Sequence, residues 1–139
     1  MSEQVSPPQE MPAAFHATII VVATDRSLIT LLKMALTVHY SCNVIALNTA
    51  NGVVTTMKLL KLLKPNCVVL NLQPFDQQAL TLVDHLHALK GFERIPILLT
   101  HSLVDFNSVH HKPHLILLRE PFTLEAFYTA VNTCFGQTT

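Results

Sequence analysis

Four polar side chains interrupt the apolar runs of this chain where chemistry could be done. Asp25 follows "ATIIVVA", Asn71 lies inside "VVLNLQP", Thr100 closes "IPILLT", and Glu120 precedes Pro121 after "HLILL". Carboxylates can act as nucleophiles, proton acceptors or cation ligands. Asn71 can do none of the covalent work, because its nitrogen lone pair is delocalised into the carbonyl. Its simplest role is to satisfy buried backbone groups at a strand end. Thr100 alone carries no signal, since a threonine often ends a strand. Glu120 could form an ordinary ion pair with Arg26, Arg119 or Lys112, worth little at a surface.

The other reactive side chains do not form motifs. His85 and His87 are two residues apart, so they do not share a helical face. His110, His111 and His114 surround Pro113 in an expected loop, where a pH-responsive patch is conceivable because histidine titrates near neutrality. No Cys or His pair has zinc-site spacing, and no metal is expected. Cys42, Cys67 and Cys134 are far apart, odd in number and set in apolar segments, which fits reduced core residues. The only glycines are Gly52, Gly91 and Gly136, so no phosphate-cradling loop is present. No cofactor and no enzymatic activity are expected.

The elements that must position Asp25, Asn71, Thr100 and Glu120 follow from hydrophobic patterning. At 139 residues, 50% hydrophobic and 13% charged, the chain is expected to be one globular domain. Nine basic and nine acidic residues cancel, which argues against a nucleic-acid binder. No apolar run approaches ~18 residues, so no membrane span is expected. No charged start precedes an apolar stretch, and a cytoplasmic location is the expectation. Residues 1–16, polar and proline-rich, are expected to be a flexible arm, 17–135 the domain and 136–139 a tail.

Within 17–135, apolar strands alternate with helices. Strands are expected at 17–23, 42–48, 66–72, 95–100 and 114–118. Residues 26–39 form a helix with Leu28, Leu31, Leu32, Ala35 and Leu36 on one face. A second helix, over 51–64, turns Val53, Met57, Leu60 and Leu63 inward and Lys58, Lys61 and Lys64 outward, and Pro65 stops it. The third, over 77–90, uses Leu80, Val83, Leu86 and Leu89 and ends at Gly91. Residues 101–112 read as a short, poor helix. The last helix, 123–135, carries Leu124, Phe127, Val131, Cys134 and Phe135 on one stripe. Strands apolar throughout imply a parallel sheet covered on both faces, an α/β fold. With right-handed crossovers, five strands in the order 2-1-3-4-5 are expected, a flavodoxin-like arrangement. Ala23, Thr24, Asp25, Asn71, Thr100 and Glu120 would then face one crevice at the carboxyl ends of the strands.

The chain resembles a response-regulator receiver domain of two-component signalling over roughly residues 17–135. The likeness rests on "VVATDRSL", "NTANG", "PNCVVLNLQP", "IPILLT" and "REPF" in that order and spacing. The resemblance implies a phosphoacceptor aspartate at position 71, where Asn71 stands. It implies two adjacent Mg²⁺-binding acids at Ala23 and Thr24, with Asp25 at a third, often acidic, position. It implies a lysine at Glu120, although Arg119 next to it could swing inward, and an aromatic at Leu117. Thr100 alone matches its position, that of the switch Ser/Thr. These departures together imply a pseudo-receiver that lacks Asp phosphorylation.

Two functional readings follow. The first is an interaction module signalling by protein contact without phosphate; the second is a small-ligand sensor using the altered pocket. For the first, the resemblance points to the face formed by the fourth helix, fifth strand and fifth helix as a contact for a protein partner or homodimer. The apolar arc of the last helix, about 160° wide, exceeds what one sheet face needs. Tyr128 at one edge and Ala130 with Cys134 at the other could remain exposed and, with Leu117, form the contact; the alternative is that the poor fourth helix folds over this edge. Leu124, Val131 and Phe135 are expected at the centre of the arc.

Overall fold

The computed structural model describes residues 17–48, 52–72, 77–101 and 114–136. Its elements run β1 (Thr18–Ala23), α1 (Arg26–His39), β2 (Asn43–Asn48), α2 (Val53–Leu63), β3 (Cys67–Leu72), α3 (Gln77–Ala88), β4 (Ile97–His101), β5 (Leu115–Arg119) and α4 (Leu124–Gly136). The strands form one sheet in the order β2-β1-β3-β4-β5. Every neighbouring pair is parallel. The expected α/β fold and strand order are therefore the observed ones.

The continuous apolar runs follow from burial on both faces of the sheet. Side chains alternate along a strand, so each run divides between two cores. Ile19, Val21, Cys67, Val69 and Leu98 point to one side, where Leu32, Leu36, Phe127 and Val131 of α1 and α4 cover them. Ile20, Val22, Val68, Leu70, Ile97 and Leu99 point to the other, under Leu60, Val83 and Leu86 of α2 and α3.

Local signals set the helix ends. Asp25 caps α1, its carboxylate accepting from the backbone N–H of Ser27 and Leu28. Gly52, at φ 95°, opens α2 in a conformation that disfavours a side chain. Lys64 closes α2 in the left-handed region before Pro65.

Several expectations are corrected. Leu31 is 50% and Leu124 45% exposed, so neither fills the core. One sheet face accepts a narrower arc of each helix than the apolar residues occupy. Thr56 is buried although polar, because its hydroxyl donates to the Gly52 carbonyl at 2.8 Å. His101 belongs to β4 and not to a fourth helix. The rest of the expected helix, residues 102–112, lies outside the described residues, as do the arm at 1–16 and the tail after Gly136.

Candidate functional site

The carboxyl ends of β1, β3, β4 and β5 bring the site together. Parallel register pairs Asn71 of β3 directly with Thr100 of β4. Both side chains belong to buried residues, exposed by 1% and 0%. Backbone pairing continues past β5, where the Glu120 N–H donates to the His101 carbonyl at 2.6 Å. That bond holds Glu120 beside the ends of β3 and β4, ahead of a cis bond to Pro121.

The three side chains form one hydrogen-bonded unit. Asn71 Nδ2 donates to Thr100 Oγ1 at 2.8 Å and to Glu120 Oε2 at 2.6 Å. An amide nitrogen has two hydrogens, one for each short bond. A carboxylate only accepts, so the amide must turn its nitrogen towards Glu120. An aspartate at 71 could not make this contact without sharing a proton. Asn71 and Glu120 thus fit each other as donor and acceptor.

The β1 end of the expected crevice is different. Ala23 is buried and has no donor atom. Thr24 and Asp25 are exposed. Asp25 Oδ1 is committed to the N-terminus of α1, at 2.8 and 3.2 Å from the amides of Ser27 and Leu28. Of the six residues expected to share one crevice, Asn71, Thr100 and Glu120 are linked, whereas Asp25 serves the helix. A cavity of about 460 Å³ lies beside Glu120, lined by Leu28, Leu31, Pro121 and Phe122.

The expected contact edge of α4 is corrected. Ala130 and Cys134 are buried, 8% and 0% exposed. Leu117 is half-buried and packs into the core on the α2 and α3 side. Tyr128 is half-buried against α1. Its ring stacks on His39 with centroids 3.8 Å apart, and its hydroxyl donates to the Ala35 carbonyl at 3.4 Å. Tyr40 joins the same seam by donating to Asn132 Oδ1 at 2.6 Å. The physical reason is that α1 and α4 lie side by side on one sheet face. The width of α4's apolar arc therefore serves two neighbours, the sheet and α1.

The cysteines, remote in sequence, gather on the same face. Cys67 and Cys134 lie in one core cluster, and both are fully buried. The neighbouring Cys134 thiol, burial and the Cys42 sulfur push the Cys67 thiol well above its ordinary value. Burial raises Cys42 as well. Nothing in the linear spacing announced this convergence, since it arises only when β3 lies under α4. His87 Nε2 lies 3.0 Å from the Ile95 carbonyl, while His110 and His111 fall outside the described residues. Among the described residues no group of three His, Cys, Asp or Glu side chains could hold a metal ion.

No protein-family profile matches the sequence, and no curated protein does. Solved structures match the fold. The chemotaxis protein CheY4 of Vibrio cholerae superposes with a TM-score of 0.73 at 10% identity, over 86% of this chain and 99% of that one. A signal receiver domain of a two-component histidine kinase from Clostridium thermocellum gives 0.71 at 9%, over 87% and 98%. The pseudo-receiver domain of the CikA protein gives 0.62 at 20%, over 85% and 96%. The architecture expected from the sequence is thus that of receiver and pseudo-receiver domains.

Proposed function

We propose that this receiver-fold chain is a signalling module that works without phosphorylation, through contact with other proteins. The observation that carries this reading is the Asn71 amide bridging Thr100 and Glu120. Phosphoryl transfer to a protein needs a nucleophilic oxygen and cationic groups to offset the phosphate charge. Position 71 supplies an amide, and Glu120 supplies an anion where the resemblance implies a lysine. The pocket is therefore chemically complete with hydrogen bonds of its own and repels an incoming phosphoryl group.

The Mg²⁺ implied by the fold is not suited to these residues. Magnesium prefers one or two carboxylates within a near-octahedral oxygen shell. Ala23 and Thr24 offer no carboxylate, and Asp25 is held by α1. The reading is of a binding domain in the cytoplasm and not of an enzyme. No helix among the described residues is long and apolar enough to cross a membrane.

Incubation with acetyl phosphate and Mg²⁺, followed by intact-mass spectrometry, tests this. The expected result is an unmodified chain, with no thermal stabilisation by beryllofluoride and Mg²⁺. A base-labile phosphoryl adduct would overturn it. The cavity beside Glu120 favours a second reading, a small-ligand sensor. A thermal-shift screen separates the two: a raised midpoint with a nucleotide or metabolite, lost on Phe122→Ala, selects the sensor.

A further inference from the structure

On the side of the sheet away from α1 and α4, the helices α2 and α3 flank a cavity of about 600 Å³. Val54, Met57, Lys58 and Lys61 line it from α2, at the spacing of one helical face. His85, Ala88 and Leu89 line it from α3 in the same manner. The floor is apolar: Met57 and Leu89 are half-buried and pack on the core beneath. The banks carry Lys58, Lys61 and His85, all exposed. Among the described residues the lining holds no carboxylate, and Asp84, the one acid of α3, is outside it. Lys61 and His85 stand in the last turns of their helices, where a basic group also offsets the terminal carbonyls. Lys58 stands before that turn, so the helix end does not account for it.

We propose that this cavity binds a small anionic amphiphile, a free medium-chain carboxylate. Its alkyl chain lies over Met57 and Leu89, and its carboxylate meets the ammonium groups of Lys58 and Lys61. The site goes beyond the interaction reading and uses none of Asn71, Thr100 or Glu120. Its volume is in the range of small-molecule sites, which pair an apolar lining with a few polar groups that fix orientation. Charge selects the ligand. Lysine and histidine are the only titratable groups of the lining, so an anionic head is attracted and a cationic one repelled. The apolar floor selects against a simple anion, because a short carboxylate leaves Met57 and Leu89 uncovered. Recession of that floor below the lysines selects a free chain over a lipid surface, since a flat bilayer cannot reach between two helices. Lysine heads stay in water while their stems add to the apolar wall, so the ion pair is exposed and weak. Affinity therefore grows mainly with chain length.

Calorimetric titration of the full chain with octanoate from about 10 μM to about 10 mM, below micelle formation, tests this. The expected result is one octanoate per chain. From hexanoate to decanoate, affinity should rise about twofold to fourfold per methylene. Acetate and octyltrimethylammonium should not bind. Lys58→Gln combined with Lys61→Gln should weaken octanoate about fivefold and leave octanol unchanged. Ala88→Trp, which fills the cavity from an exposed position, should weaken octanoate and octanol alike. All three sites are exposed, so circular dichroism of these variants should match wild type. No octanoate binding overturns the proposal. Several octanoates per chain, indifferent to Ala88→Trp, overturn it as detergent adsorption. Octanoate binding indifferent to the paired lysine variants removes the anionic site. Binding to phosphatidylglycerol vesicles without binding to octanoate assigns the lysines to a membrane and overturns it too. Loss of octanoate binding on Phe122→Ala moves the ligand to the cavity beside Glu120, which overturns this site while favouring the sensor reading. Phosphorylation by acetyl phosphate removes the pocket reading and leaves this one standing.

Discussion

Replacing Asn71 by aspartate should reveal how strongly the pocket depends on an amide. The substitution puts a carboxylate where Nδ2 stands 2.6 Å from Glu120 Oε2 in the folded chain. Two full charges at that separation repel by about 6 kcal/mol at an effective dielectric constant of ~20. The pair avoids this by holding one proton between its oxygens, as carboxylate dyads do. Such sharing raises the folded-state value of the pair by roughly two units over the ~4 of a free carboxyl. At 1.36 kcal/mol per unit, Asn71→Asp should cost about 3 kcal/mol at pH 8. The bond to Thr100 survives, because its hydroxyl can donate to the new carboxylate. The folded chain holds the extra proton and unfolding releases it, so stability falls as pH rises from ~4 to ~6 and levels off above. Below pH ~4 both states are protonated and the penalty disappears. Urea melts of wild type and Asn71→Asp at pH 5 and pH 8 measure the difference. Glu120→Gln in the aspartate background should recover most of it at pH 8. A penalty equal at both pH values, or one that Glu120→Gln leaves in place, would refute the argument.

Two further outcomes follow from the rest of the structure. Asp25→Ala should cost about 1 kcal/mol by removing the cap of α1, while Asp25→Asn, which keeps the acceptor, should cost less; thermal melts that rank the two alike would show that the cap is not the role of Asp25. In native alkylation, Cys42 should react before Cys67 or Cys134 and more slowly than free cysteine, with stability declining as pH climbs past the ordinary thiol value of 9.0, since the folded state keeps the Cys67 proton longer; prior labelling of Cys67 on peptide mapping would contradict the buried pair.

The sequence by itself determined the fold and which side chains stand at the strand ends. Strands such as "TIIVVA" and "CVVLNL" are apolar at every position but Thr18 and Asn71, and only burial on both faces explains that. Helices between them leave a parallel sheet as the solution. The identity of Asn71, Ala23 and Glu120 is a statement about atoms present, so it needs no coordinates. The tertiary structure decided what those atoms do. Asn71 and Glu120 are 49 residues apart, and only the ordering of β3, β4 and β5 makes one the donor to the other. Asp25 was legible as an acid near the site, but its orientation is set by the first amides of α1. The last helix shows the limit most plainly. Its wide apolar arc could mean an exposed edge or a second neighbour, and periodicity counts apolar positions without saying what covers them. Placing α1 beside α4 buried Ala130 and Cys134 and stacked Tyr128 on His39. The same placement left Leu31, Met34 and Val38 facing outward, because a helix seated on a sheet and one neighbour has only part of its circumference to bury.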